Sequence, residues 1–224
     1  MRLFNLIKRA IGKVVRKVRC AQLNRLIDEG GGHFELTNPW MSVCIRKATG
    51  ARLIVRGRIV IQPWLESDAK TVFDLAQGAS LEFAGDFIIG PGVKIVVGHL
   101  ATLRFGGRQK ESGSGITCDT TILVKHRINI GADFICAWGV FITDCDWHDY
   151  KGQACQADVT IGDKVWVAHH SSILKGVVIP DGCVIAAHSL VLGGKFLANS
   201  LIAGCPASSK RNNIFWHRDM STTQ

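Results

Sequence analysis

The sequence has no uninterrupted apolar stretch approaching the roughly 18 to 20 residues of a spanning helix, which excludes a chain that crosses a bilayer by such a helix. It has no C-x-x-C pair either. The eight cysteines, at 20, 44, 118, 136, 145, 155, 183 and 205, follow no regular framework, and at 224 residues the chain exceeds the usual size of a disulfide scaffold. They read as reduced thiols of a cytoplasmic protein. Acidic side chains are missing before Asp28. That absence gives the charge an address: of 27 lysines and arginines, eight lie in residues 1–25, which leaves 19 against 18 acidic side chains in a nearly neutral body. A body without excess positive charge, and a basic run without a recognisable binding motif, argue against a nucleic-acid partner.

Within that first segment Leu3, Ile7, Ala10, Val14 and Val18 recur at helical spacing, with Phe4, Ile11 and Val15 alongside. The spacing predicts a basic amphipathic helix within residues 1–28, with Gly12 and three valines working against it. Broken apolar runs are unlike a secretory signal. Two uses are open: adsorption to an anionic membrane surface, peripheral at the inner face of the cytoplasmic membrane, or docking on the protein itself or on a partner subunit.

From Ile161 onward the chain keeps a period of six. Ile161, Val167, Ile173, Ile179, Ile185, Val191, Leu197 and Ala203 are the large or apolar position, and Val165, Ser171, Val177, Cys183, Ser189, Lys195, Leu201 and Ala207 follow four residues after each. Ile130, Cys136 and Ile142 repeat the pattern, with Phe134 and Val140 at the second position. Shorter runs occur at Leu75 and Leu81, Ile89 and Ile95, Val97 and Leu103, and Ile116 and Ile122. A period of six is neither helical nor heptad. It suits an all-β parallel solenoid in which each hexad forms one short side of a triangular coil, the large aliphatic points inward and the smaller residue sits near a corner.

Two stretches interrupt the pattern. "RFGGRQKESGSG", residues 104–115, is glycine-rich and polar and reads as a surface loop. "FITDCDWHDY", residues 141–150, gathers three aspartates, a histidine, a tryptophan and a cysteine. Ile142 and Ile161 are nineteen residues apart, one more than three hexads, so the segment between them is expected to lose phase and leave the wall. A loop anchored at both ends by rigid coils is a good position for a catalytic group. Upstream, "GGHFELTNPWMSVCIRKATG" reads as a strand-rich lead-in hinged at Gly30 to Gly32. The division expected is residues 1–28, basic helix; 29–208, solenoid; 209–224, tail.

The stretch "VTIGDKVWVAHHSSILKGVVIPDGCVIAAHSLVLGGKFLANSLIAGCPASSKR", with its I-G-D-x-V-W opening, hexads and closing A-G-x-P-A, resembles the hexapeptide-repeat, left-handed β-helix acyltransferases, in particular the galactoside, maltose and xenobiotic acetyltransferase branch that includes polysaccharide O-acetyltransferases. The resemblance implies a left-handed coil, acetyl-coenzyme A as donor, direct acyl transfer and a homotrimer whose active sites lie between subunits. It places His148 at the family's catalytic histidine, a general base; a solvated loop with an incidental histidine is the alternative. Asp144 and Asp146 could fix the imidazole tautomer or contact substrate hydroxyls. For the cofactor, the resemblance points to Trp166 near the acyl end, or packing a corner; to Ala168 and Ala187 beside the pantetheine arm; and to Lys195, Lys210 and Arg211 near the phosphates. Cys145 reads as a bystander. His169, His170 and His188 fall at outward turn positions and read as surface.

No metal is expected: β-helical carbonic anhydrases hold zinc with three histidines, and no two of the eight histidines here have that family's five-residue spacing. The function expected is O-acetylation of a sugar hydroxyl in a cell-envelope polysaccharide or lipid-linked saccharide. Acetylation of a small acceptor, an antibiotic or free sugar, and a non-catalytic β-helical assembly module remain as alternatives.

Overall fold

The computed structural model describes residues 2–64, 67–107, 113–149, 152 and 154–218, with side chains from residue 8 onward. One helix, Arg2–Asn24, precedes a left-handed β-helix of short strands stacked into three parallel walls. Among the described residues the first wall has nine strands, eight parallel ones from His33–Leu36 to Leu201–Gly204 and Ala207–Arg211 antiparallel at its edge. The second has seven, from Val43–Lys47 to Leu190–Val191, and the third six, from Arg52–Val55 to Val178–Ile179. As far as Leu190–Val191 the chain visits first, second and third wall in turn, so each parallel strand pairs with the equivalent strand one coil away, about 4.8 Å along the axis.

The hexads work as expected over Ile161, Val167, Ile173, Ile179, Ile185 and Val191, all buried, with Val165, Ser171, Val177, Cys183 and Ser189 buried at the second position. Thr160 pairs with Val178 and Ser172 with Leu190, eighteen residues apart and three hexads to a coil. The last two hexads depart from the pattern. Leu197 is 66% exposed, and Ile202 rather than Ala203 is buried. Gly193 and Gly194 adopt φ of +148° and +124°, a region nearly reserved for glycine, and no strand forms between Val191 and Leu201. The first-wall strand is then entered one residue early: Ile185 pairs with Ile202, and Ser200 takes the buried second position in place of Leu201.

Upstream the coils are longer. Leu53 pairs with Leu81, Leu81 with Leu103 and Leu103 with Ile128, so the steps vary while inward burial persists. The interior there is filled largely by phenylalanine. Phe34, Phe73, Phe83, Phe87 and Phe105 form a continuous run of ring contacts with centroids 4.8 to 6.4 Å apart, tilted except for the stacked Phe83 and Phe105. The expected lead-in is itself coil: His33–Leu36 and Val43–Lys47 pair with Arg58–Ile61 and Thr71–Leu75. The expected loop 104–115 is narrower than its composition suggested. Arg104 and Phe105 end a third-wall strand, with Phe105 buried, and Gly115 begins a first-wall strand, where a Cβ would press on Ile88 at 2.9 Å. Residues 108–112 lie outside the described ones.

The helix closes the amino-terminal end of the coil. Cys20, Leu23, Leu26 and Ile27 pack on the core. Asn24 continues the first-wall ladder, its Oδ1 accepting the Phe34 N–H at 2.6 Å and its Nδ2 donating to the Phe34 carbonyl at 3.3 Å. The Arg19 guanidinium donates to the carbonyls of Pro39 and, at 2.6 Å, Met41. Docking thus uses the face of Gly12, Val15, Arg19, Cys20 and Leu23, and leaves Val14 and Val18 of the expected stripe in solvent.

Candidate active site

The segment around His148 leaves the corner between the second and third walls. Ile122 and Ile130 are eight residues apart, whereas their partners one coil on, Ile142 and Ile161, are nineteen apart; the coil keeps its phase and the extra residues form an insertion at the corner. The insertion starts as a hairpin. Asp146 N–H donates to the Cys155 carbonyl at 2.7 Å, Ala157 N–H to the Asp144 carbonyl at 3.0 Å, and Cys145 bridges to Gln156 between them.

Two side chains fix this hairpin to the coils on either side. Asp144 is fully buried, and its carboxylate accepts the backbone N–H groups of Lys125, His126 and Arg127 at 2.7, 2.8 and 2.7 Å, capping the equivalent corner of the preceding coil. On the following coil, the Lys175 ammonium pairs with Asp146 at 2.5 Å and donates to the Ala154 carbonyl at 2.7 Å. The two aspartates expected beside an imidazole therefore face the scaffold. His148 itself is exposed and makes no hydrogen bond to another described residue. Cys145 is buried, and burial pushes its thiol up from the usual value, with the Trp147 N–H acting in the other direction. A thiol held protonated is a poor acyl acceptor, in keeping with a bystander.

The residues expected at the donor lie elsewhere on the coil. Trp166 projects from the first wall, 40% exposed, with its ring 6.1 Å from that of Trp216. The tail returns along that side: Trp216 Nε1 donates to the Lys164 carbonyl at 3.1 Å, and Ile214 N–H to the Asn199 carbonyl at 2.8 Å. Ala168 and Ala187 are half-buried at the corner between the first and second walls, on successive coils. Lys210 and Arg211 sit on the antiparallel edge strand, which runs across the boundary expected at 208, and Lys195 is exposed in the strandless segment. The second wall lies between the corner of Ala168 and Ala187 and the His148 corner, whereas Lys195 follows the second wall and lies on the His148 side of it. Six residues from Trp138 to Asp144, at no more than about 3.3 Å each, span at most about 20 Å between the two corners.

At the corner carrying Ala168 and Ala187 stands a side-chain column that the sequence reading treated as plain surface. Trp138 stacks on His169 with centroids 5.1 Å apart, His169 lies 5.1 Å from His188, and His170 lies 5.3 Å from His188. The signal was available: His170 and His188 are eighteen residues apart, one whole coil. Both adopt positive φ, of +53° and +57°. Among the described residues, no group of three or more histidine, cysteine, aspartate or glutamate side chains is placed to hold a metal ion.

Residues 158–193 match the sequence family described as bacterial transferase hexapeptide (six repeats). The chain is similar to the putative lipopolysaccharide biosynthesis O-acetyl transferase WbbJ of Escherichia coli, 32% identical over 96 residues that cover 37% of this chain and 48% of that protein. It is also similar to a probable macrolide acetyltransferase of Lysinibacillus sphaericus, 29% identical over 111 residues covering 50% and 52%. The matched regions span about half the length of these relatives. Among solved structures, the polysialic acid O-acetyltransferase OatWY shares the fold, with a TM-score of 0.56 and 22% identity over 88% of this chain and 93% of that one.

Proposed function

We propose, from the premise that the chain belongs to the bacterial hexapeptide-repeat transferases, that it moves an acetyl group from acetyl-coenzyme A to a sugar hydroxyl of a cell-envelope polysaccharide or lipid-linked saccharide. His148 is the general base. Its imidazole takes the hydroxyl proton as the sugar oxygen bonds to the thioester carbonyl carbon; the carbon–sulfur bond then breaks, and the proton passes to the departing thiolate. Asp144 and Asp146 serve this step by fixing the insertion to the coils on either side, which keeps the loop that carries His148 from drifting. Trp166, Ala168 and Ala187 border the acyl and pantetheine parts of the donor, and Lys195, Lys210 and Arg211 meet its phosphates. The reaction is placed in the cytoplasm, at the inner membrane face that residues 1–25 reach peripherally.

The observation that carries this reading is the separation of its two halves. Ala168 and Ala187 stand at one end of the second wall and the His148 insertion at the other, which favours a site that takes His148 from one copy and the Ala168–Ala187 corner from another. A homotrimer supplies three such sites. Similarity to the O-acetyl transferase WbbJ favours a saccharide acceptor, and similarity to a macrolide acetyltransferase favours, as a second reading, a small one.

Mixed oligomers test the arrangement. His148→Ala and Ala187→Trp chains are each expected to be inactive alone. Co-expressed in equal amounts, they should regain about a quarter of wild-type turnover, because that share of sites combines an intact histidine with an intact donor corner. Mixtures as inactive as either parent would place the whole site within one chain.

A further inference from the structure

Three successive coils line up their turns at the corner between the first and second walls. The His170 N–H donates to the Trp138 carbonyl and the His188 N–H to the His169 carbonyl, each at 3.0 Å. The first-wall register aligns Trp138 with His169 and His170 with His188, one coil apart. Their rings therefore meet: the planes of Trp138 and His169 differ by 15° and those of His170 and His188 by 27°, while His169 meets both histidines edge-on. Gly139 takes the turn position of His170 one coil earlier, with φ of +67°, and a Cβ there would run into the His170 ring. Ala187 takes the position of Trp138 and His169 one coil later, so the run of rings ends in a step at a residue proposed to border the pantetheine arm. Trp138 is 44% exposed, His169 is half-buried, and His170 and His188 are exposed.

What this corner lacks narrows what it can hold. Residues 137–140, 168–171 and 186–189 include no aspartate, glutamate, asparagine or glutamine. The hydroxyls of Ser171 and Ser189 are taken, both donating to the Ala186 carbonyl. On the coil before Gly139, the Asp119 carboxylate lies back over Gly92, and the Cys118 thiol is buried and pushed up to about 11 by burial and by Asp119. On the coil after Ala187 stand the Cys205 thiol and the Lys210 ammonium, the latter 3.9 Å from where a Cβ of Gly204 would lie. Neutral sugar hydroxyls donate as well as accept, and side-chain carboxylates and amides match them. A sugar carboxylate only accepts, and an imidazolium, with two N–H donors and no acceptor, matches that. The flat Trp138 ring offers an apolar face to the body of a sugar. A metal is not served, because the rings stack instead of converging, and among the described residues no such group is placed to hold one.

We propose that Trp138, His169, His170 and His188 form an acceptor subsite for an acidic saccharide, with the sugar carboxylate taking N–H donors from His170 and His188 and the sugar ring lying on Trp138. The inference rests on the saccharide acceptor proposed above and narrows its class. An imidazole gains its second N–H as pH falls through the neutral range, so the acidic sugar is held more tightly at low pH and released as pH rises.

The full chain is titrated with an oligogalacturonate, which carries one carboxylate per sugar, and with a neutral malto-oligosaccharide of equal length, by calorimetry at about pH 6 and about pH 8. Expected is binding of the acidic chain about tenfold or more tighter than the neutral one at the lower pH, with most of that advantage gone at the higher. His170→Ala combined with His188→Ala should cost about tenfold for the acidic oligosaccharide and little for the neutral one, and Trp138→Ala should weaken both. His170→Gln combined with His188→Gln, which keeps N–H donors without the charge, should remove the pH dependence. Saturating coenzyme A should leave the oligogalacturonate bound. No binding of oligogalacturonate, equal affinity for the two oligosaccharides at the lower pH, or undiminished binding by an alanine variant that melts like wild type would overturn the proposal. So would displacement by coenzyme A or by inorganic phosphate at the same concentration, because the column would then hold the donor's phosphates. Failure of the transfer reading looks different: the acidic oligosaccharide would bind as described while His148→Ala kept full turnover.

Discussion

Asp144 and Asp146 stand two residues apart in one polar cluster, and nothing in their identity separates them. The neighbouring coil does. Asp144 turns inward over a corner whose three N–H groups have no other acceptor, while Asp146 pairs with Lys175 at 44% side-chain exposure. Asp144→Ala should therefore cost about 3 kcal/mol or more, because three N–H groups of the 125–127 corner lose their acceptor. Asp146→Ala should cost under about 1 kcal/mol, as exposed ion pairs do. Calorimetric unfolding of the two variants checks the difference, and equal losses would contradict the assigned roles. The sequence marked this loop by its polarity and His148 by its resemblance, but Asp144 works on residues 17 to 19 positions back and Asp146 on Lys175, on the following coil, partners adjacent only in space.

At the scale of elements, the join between helix and coil depends on Asp28. Burial disfavours its ionisation, but the Leu53 N–H and Lys47, the latter by hydrogen bond and by charge, together with Arg52, outweigh that and hold its carboxyl below the usual carboxylate value. The Leu53 N–H donates to it at 2.6 Å and the Lys47 ammonium at 2.5 Å. A carboxyl depressed in the folded state adds stability above its unfolded pKa and loses it as pH falls through the folded one. Amide exchange in the helix should thus accelerate as pH drops from about 5 to about 3, after correction for intrinsic rates. Asp28→Asn should exchange faster already at pH 5 and show a smaller step; an unchanged step would contradict the anchoring role. The helix was legible in its 3.6-residue apolar spacing, its docking face was not. Val14 and Val18 advertised a buried stripe, whereas the contacts fall to Gly12, Val15, Arg19 and Leu23, fixed by the Pro39–Met41 loop that local periodicity cannot see.

For the whole molecule, the six-residue period revealed the solenoid because each hexad from Ile161 to Val191 makes one wall, and every coil there has the same length. Upstream the same inward burial is carried by coils of unequal length, where insertions at corners shift the count without disturbing the stack. The carboxyl-terminal end escaped for the opposite reason: two glycines remove a strand while the apolar spacing runs on, so Leu197 fits the pattern and faces solvent. His148 and the Ala168–Ala187 corner proposed for the donor occupy opposite ends of the second wall, the arrangement that a site shared between two copies would use. The central claim is that His148 is the base of an acetyl transfer to a saccharide. Its most direct test is the initial rate of coenzyme A thiol release from acetyl-coenzyme A across a panel of cell-envelope glycans, in wild type and in His148→Ala. Acceptor-dependent release on at least one glycan, falling by about 10² to 10⁴ in a variant that melts like wild type, is the expected result. Full turnover by that variant would contradict the account.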